Sequence, residues 1–220
     1  MSYHNRQDAG KQLVNVLSQY KGMSVVVLAL PRGGVVLGAE VANGLQAPLG
    51  LVLVRKIGHP SYAEYAIGAI AEDEAPVYNE QEIRGINKSW LKQAELSARE
   101  LIQHRRELYY GEDFMPPKVK GKTVIIVDDG IATGLTMEAA ALAVRNQHPK
   151  QVVVAVPVAS QESVDRLKSM VDRVIVLDNP EDFLGAVGAH YQEFNQVNDE
   201  AVRALLREVH YDIQQDTTAN

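Results

Sequence analysis

The stretch Thr123–Met137, TVIIVDDGIATGLTM, decides how the chain is read. Thr123 to Val127 are all β-branched and nearly all apolar, with no polar alternation. Such a run marks a strand covered on both faces. It closes on two adjacent carboxylates, Asp128 and Asp129, and passes at once into Gly130-Ile131-Ala132-Thr133-Gly134-Leu135-Thr136. Two neighbouring acids repel each other, whereas a Gly/Thr loop that opens a helix attracts anions.

Gly130 and Gly134 let the loop turn tightly and aim its amides inward. Thr133 and Thr136 add hydroxyl donors, and the helix that follows adds its positive end, so the loop is a phosphate cradle. The carboxylates accept only, which suits vicinal hydroxyls or a hydrated Mg2+. A ligand with a phosphate a few ångströms from a diol satisfies both halves, and a ribose 5-phosphate has that shape. Asp and Gly also crowd into ordinary turns; the Thr-Gly-x-Thr that follows separates this loop from a plain acidic strand end.

Outward from this motif, buried strands alternate with helices. SVVVLAL and LGLVLV are continuous apolar runs, the second closing on Arg55-Lys56. QVVVAVPV and RVIVL follow the central motif, separated by the helical stretch SQESVDRLKSM. Helices are expected over NRQDAGKQLVNVLSQY, ended by Gly22, over VVLGAEVANGL, ended near Gly44, and over a tail carrying Val202, Leu205, Leu206 and Val209. A long helix is expected over 87–110, its face marked by Leu91, Ala94, Ala98, Leu101 and Leu108, with Glu95 and Arg99 as an i,i+4 pair. GEDFMPPKVKGK reads as a loop. Residues 57–79 form an excursion rich in Gly, Pro, Tyr and acids, with strand-like YAIGAIA and APVY around Glu72-Asp73-Glu74 suggesting a hairpin. The expected fold class is α/β, a mainly parallel sheet with helices on both faces, in one domain spanning 1–220. Ligands of such sheets bind beyond the carboxyl ends of the strands. PRGG, VRK and DDGIATG all fall there. Arg32 supplies a planar cation beside the exposed amides of Gly33 and Gly34, and Arg55 and Lys56 supply a second basic group.

Composition narrows the function. No run of about 18 apolar residues is present, so no spanning helix is expected, and the polar MSYHNRQDAG has no signal-peptide core. The absence of cysteine excludes disulfides and thiol catalysis and points to the cytoplasm. A net charge of −6 disfavours nucleic acid and anionic membranes as partners. Histidines 4, 59, 104, 148, 190 and 210 lack metal-ligand spacing. Two rival motifs fail. GKT at 121–123 precedes a strand instead of opening a helix, and Pro116 stands where a P-loop needs glycine. VIIVDD resembles the acidic pair of a response-regulator receiver, with Asp178 as phosphoacceptor, but that domain has no use for the Gly/Thr loop.

LPRGGV, VRKIG, YAIGAIA and DDGIATG, in this order, resemble the type I phosphoribosyltransferases, most of all a sparsely characterised branch of them. The resemblance spans about residues 5–210. VIIVDDGIATGLT is similar to their signature for 5-phosphoribosyl 1-pyrophosphate (PRPP), except that Gly130 replaces the usual aliphatic residue. PRGG is similar to their pyrophosphate loop, and VRKIGHP to the start of their flexible catalytic loop. The resemblance implies Mg-dependent transfer of phosphoribose from PRPP to a nitrogenous acceptor with release of pyrophosphate. By position, Asp128 and Asp129 would hold the ribose hydroxyls, partly through Mg2+. Ala132, Thr133, Gly134, Leu135 and Thr136 would cradle the 5-phosphate, with Gly130 also in contact with PRPP. Arg32, Gly33 and Gly34 would hold the pyrophosphate. Arg55, Lys56 and Asp129 would be catalytic once a flexible 57–79 loop closes. NPEDFLGAVGAHYQEF resembles the hood of the 6-oxopurine enzymes and makes 179–197 a hood segment, with Phe183 a candidate to stack on a base and His190 where those enzymes tend to have an acid. Ala132, however, stands where 6-oxopurine enzymes usually carry an Asp. These two signals conflict and leave the acceptor open. A homodimer is implied by the resemblance alone. The alternative is a regulator that senses PRPP without transferase activity; a remnant of a fused protein, its substrate supplied by a partner domain, is a third reading.

Overall fold

The computed structural model describes residues 2–72, 74–111 and 115–218, with side chains for all of these except Glu64 and 210–218. Its elements, in chain order, begin with helix α1 (Arg6–Leu17), strand β1 (Val25–Ala29), helix α2 (Gly34–Leu45) and strand β2 (Leu49–Leu51). An antiparallel excursion follows, made of β3 (Val54–His59), β4 (Tyr62–Ala71) and β5 (Val77–Tyr78). Helix α3 (Lys88–Tyr110) leads to β6 (Thr123–Val127), α4 (Leu135–Arg145), β7 (Gln151–Val156), α5 (Gln161–Lys168), β8 (Arg173–Val176) and α6 (Asp199–Thr218).

Five strands pair in parallel in the order β2-β1-β6-β7-β8. The uninterrupted apolar runs have the structural meaning expected of them, because side chains alternate across a sheet. Val25, Val27, Ala29, Ile125, Val127, Val153 and Ala155 enter one buried cluster with Leu13, Leu17, Leu37, Val41, Ile102, Val202 and Leu206. Val26, Leu28, Val124, Ile126, Val152 and Val154 enter the other, with Met137, Ala140, Val144, Val164 and Leu167. Helices α1, α2, α3 and α6 thus cover one face, and α4 with α5 the other.

Three local readings change. LGLVLV is two strands: Val52 still donates to Ala29 O at 3.1 Å, and β3 then starts at Val54 in the second, three-stranded sheet. On α3 the buried positions are Ala98, Ile102, Tyr109 and Tyr110, while Leu101 is 45% exposed. The face runs along i, i+4 from Ala94, which passes beside Leu101. Glu95 and Arg99 turn away from each other: Glu95 accepts from the Tyr78 hydroxyl at 2.7 Å, and Arg99 donates to the carbonyls of Glu72 and Glu74. Both tie α3 to the excursion. Asp73, within the acidic run, and 112–114, within the loop after α3, lie outside the described residues.

Strand order reverses between β1 and β6: the chain leaves β1 toward β2 and leaves β6 toward β7. Such a switch point opens a crevice beyond the strand ends, and PRGG and DDGIATG flank it. The outer edge, β2, is closed by a side chain, with the Leu51 amide donating to the Tyr110 hydroxyl at 2.7 Å in a buried setting. Tyr110→Phe leaves that amide unpaired and is expected to cost about 1–2 kcal/mol of stability. Urea unfolding should show a lower midpoint with an unchanged slope.

Candidate functional site

A cavity of about 450 Å³ lies at the switch point, a size that suits a small ligand. Ten of the residues read from sequence line it: Arg32 and Gly33 after β1, Lys56 on β3, Asp128 and Asp129 after β6, and Gly130, Ala132, Thr133, Gly134 and Thr136 on the loop into α4. Four do not. Gly34 opens α2 against the end of β6, where a Cβ would lie 2.8 Å from Asp128 Oδ1. Leu135 opens α4 but buries its side chain with Ala69 and Ala139. Arg55 is separated from Lys56 by strand geometry, since successive side chains on β3 point to opposite faces. Phe183 stacks on His190, ring centroids 5.4 Å apart and planes 18° apart.

The hood segment carries two short 3-10 turns, Pro180–Asp182 and Val187–His190. Its cavity-facing residues are Val187 and Phe194. His190 is buried, accepts from the Leu184 amide at its Nε2 (3.0 Å) and faces Asp178 Oδ2 with Nδ1 at 3.5 Å. An Nε2 that accepts leaves the ring proton on Nδ1, so this histidine fastens the hood to the end of β8.

Besides Val187 and Phe194, sequence reasoning missed Arg6 and Tyr191. Arg6, the first residue of α1, is 9% exposed. Its Nε donates to Asp129 Oδ2 at 2.8 Å, its Nη1 to Asn195 O at 2.6 Å, and its guanidinium lies 3.8 Å from the Phe194 ring centroid. The Tyr191 hydroxyl donates to Asp129 O at 2.7 Å. Tyr3 packs its ring on Tyr191, and the amides of Ser2 and Tyr3 donate to His190 O. The amino-terminal segment and the hood therefore clasp Asp129 together. No short-range pattern reports this, because Arg6 and Asp129 are 123 residues apart; the one local hint is the pairing of aromatics in YQEF. Space is as tight as the hydrogen bonding. A Cβ on Gly33 would lie 2.0 Å from Asp129 Oδ2 and 2.8 Å from Arg6 Nε, so only glycine lets this turn touch the ion pair.

Burial, and then repulsion from Asp129, push the Asp128 carboxyl well above the usual carboxylate range; the Asp129 amide, donating at 2.8 Å, and the charges of Lys56 and Arg6 oppose the shift. Burial also raises Asp129, with Arg6 pulling the other way. Among the described residues no group of three or more His, Cys, Asp or Glu side chains gathers to hold a metal. A divalent ion here would need oxygens from a ligand to complete its shell, the usual manner of Mg2+. Among the described residues, no helix is long and apolar enough to cross a membrane.

Since Asp128 binds its proton more tightly folded than unfolded, its contribution to stability falls as pH rises from the ordinary carboxylate range through its raised folded pKa. Asp128→Asn keeps an oxygen for the Asp129 amide and removes the buried charge. The free variant is expected to be about 1 kcal/mol more stable than the parent at pH 7, with the advantage shrinking as pH falls toward 4. Thermal unfolding at both pH values checks this, and a less stable variant at pH 7 overturns the electrostatic account.

Comparison with known proteins gives this geometry its context. The profile of the phosphoribosyl transferase domain matches residues 3–193. A Mycobacterium tuberculosis protein named "Putative phosphoribosyl transferase" is 42% identical over 213 residues, which cover 96% of this chain and 47% of that protein. The chain thus spans about half the length of the curated relatives it matches. The crystal structure of TT1426 from Thermus thermophilus superposes with a TM-score of 0.79 at 43% identity, covering 94% of this chain and 99% of that one. On a domain match over most of its length, close relatives and a parallel sheet with its crevice at the switch point, this chain belongs to the phosphoribosyl transferase family.

Proposed function

We propose that this chain transfers the phosphoribosyl group of PRPP to a nitrogenous acceptor and releases pyrophosphate. One observation carries the reading: a basic glycine turn, a buried acid pair, a Gly/Thr loop at a helix start and a lysine from a separate sheet all line one cavity. No single-charge ligand uses all four. PRPP does, with its 5-phosphate on the Ala132–Thr136 loop, its diol at Asp128 and Asp129, and its pyrophosphate at Arg32 and Gly33.

In the reaction the C1–O bond to pyrophosphate breaks, its electron pair leaves with the pyrophosphate, and the acceptor nitrogen bonds to C1 and sheds a proton. Positive charge develops on the sugar ring and negative charge on the leaving group. Preplaced donors at the leaving group lower this barrier most, which is the part given to Arg32, the Gly33 amide and Lys56. Asp128 and Asp129 would hold Mg2+ jointly with ligand oxygens, and the ion would neutralise charge on the departing pyrophosphate. The excursion carrying Lys56 leaves the β2 edge of the sheet and packs on α4, the helix that opens from the phosphate loop, whereas the hood follows β8 at the other edge.

The assay is PRPP- and Mg-dependent pyrophosphate release across a panel of purine, pyrimidine and pyridine bases and simple amines. Turnover with one class supports the transferase. Tight PRPP binding with no turnover favours the sensor, and no binding ends both readings. Lys56→Ala is expected to lower kcat about 100-fold. Arg55→Ala, on the other face of β3, is expected to lose less than about tenfold. Equal losses would mean that both cations reach the leaving group.

A further inference from the structure

We propose that Arg166, backed by Glu138, Ser160 and Ser163, is the positioning group of the phosphate loop and sets the direction of its amides; the proposal rests on the PRPP reading above. None of these four residues lines the cavity. All lie behind the loop: Glu138 on α4, Ser160 at the N-cap of α5, and Ser163 and Arg166 along α5. The Ser160 and Ser163 hydroxyls reach the Ala132 carbonyl oxygen at 2.6 and 2.8 Å, and Arg166 Nη2 donates to the Thr133 carbonyl. The loop is fastened at its base by the same segment, with the Ile131 amide donating to Val158 O and the Ser160 amide to Ile131 O, both at 2.9 Å.

The consequence follows from the planar trans peptide, in which a carbonyl and the N–H of the next residue point opposite ways. Drawing the Ala132 and Thr133 carbonyls back toward α5 turns the Thr133 and Gly134 amides forward, into the cavity. A loop left to itself could present either edge, and a carbonyl edge would repel a phosphate. The bracket removes that choice before ligand arrives, and preorganised donors bind without the cost of ordering them.

Arg166 has a second effect. Glu138 lies in the first turn of α4, beneath the cradle, with a side chain only 9% exposed. Bare, its carboxylate would repel a bound phosphate across a poorly screened interior. Arg166 Nε meets its Oε1 at 2.7 Å and offsets that charge, while Nη1 pairs with the solvent-exposed Glu162 at 2.6 Å. Gly134, at φ 80°, leaves room for the bracket, since a Cβ there would lie 2.9 Å from Arg166 Nη2 and 3.0 Å from both Glu138 Oε1 and Ser163 Oγ.

The test separates the two ends of the ligand. Ribose 5-phosphate and inorganic pyrophosphate, each with Mg2+, are titrated calorimetrically into the full chain as wild type, Arg166→Ala, Arg166→Lys and the double variant Ser160→Ala/Ser163→Ala. Arg166→Ala should weaken ribose 5-phosphate about tenfold or more and leave pyrophosphate within about twofold, because pyrophosphate sits on the other turn. Arg166→Lys, which keeps the charge at Glu138 but not the fork, should recover part of the loss. Unchanged ribose 5-phosphate affinity in Arg166→Ala, or equal loss of both ligands, overturns the proposal. If Arg166→Ala and Arg166→Lys do not fold, the serine pair decides: a selective loss of ribose 5-phosphate supports the bracket and an unchanged affinity overturns it. Failure of the wild type to bind ribose 5-phosphate at all sinks the PRPP reading and this proposal with it.

Discussion

Two neighbouring carboxylates at the buried end of a central strand are the constraint on which the rest of this structure turns. At an effective dielectric near 20, unit charges about 4 Å apart repel by about 4 kcal/mol, comparable to a large share of a domain's net stability. Burial adds to the penalty for each carboxylate. The chain offsets it from three directions. Arg6 comes from the amino terminus, Lys56 from the antiparallel excursion, and the Asp129 amide from the motif itself. Much of what surrounds the site exists to bring those groups in. Tyr3, His190 and Tyr191 hold the first helix and the hood against Asp129, and the break after β2 swings Lys56 over the strand ends. The offset is partial, as the raised Asp128 carboxyl shows. A site left short of positive charge is one whose acid pair a divalent cation would complete.

The sheet's topology explains why these parts meet. Reversal of strand order at β1 and β6 splays the helices on either side and opens the crevice between their two turns. Turn chemistry then divides the labour. The turn after β1 has lost its side chains at Gly33 and Gly34, so that it can lie against both carboxylates. The turn after β6 keeps side chains on its cavity face and gives its outward carbonyls to α5.

Legibility in the sequence follows the range of the interaction. The parallel sheet, its two covered faces and the acid-then-cradle motif are written in consecutive residues, and each could be read from strand parity and turn chemistry. Register across a strand break was not so readable. Arg55 and Lys56 look equivalent in a string, and only the start of a new strand at Val54 assigns one of them to the cavity. Leu101 reads as core until the helix phase is fixed by Ile102 and Tyr109. Phe183 and Phe194 are both aromatic residues in an irregular segment. Which one faces the cavity depends on where His190 anchors the turn between them. Arg6 was beyond reach, because its partner lies in the other half of the chain.

The one departure from the family signature, Gly130, becomes intelligible through the hood. A Cβ at that position would lie 2.6 Å from Val187 Cγ1 and 2.7 Å from Val158 Cγ2. The space that an aliphatic side chain would take is already filled by Val187, which lines the same cavity. Apolar surface beside the acid pair is thus supplied by the hood instead of the loop. The exchange ties the two together: with glycine at 130, the hood valine rests on the backbone of the Gly/Thr loop itself. Ala132, two residues on, keeps the neighbouring wall small and uncharged, while Arg6 and Phe194 bound the cavity at the hood. That wall offers a valine, a phenyl ring and a guanidinium already committed to Asp129 and Asn195. Under the transferase reading, selectivity at that wall would rest on shape and apolar contact more than on an acid that could exchange a proton with an acceptor.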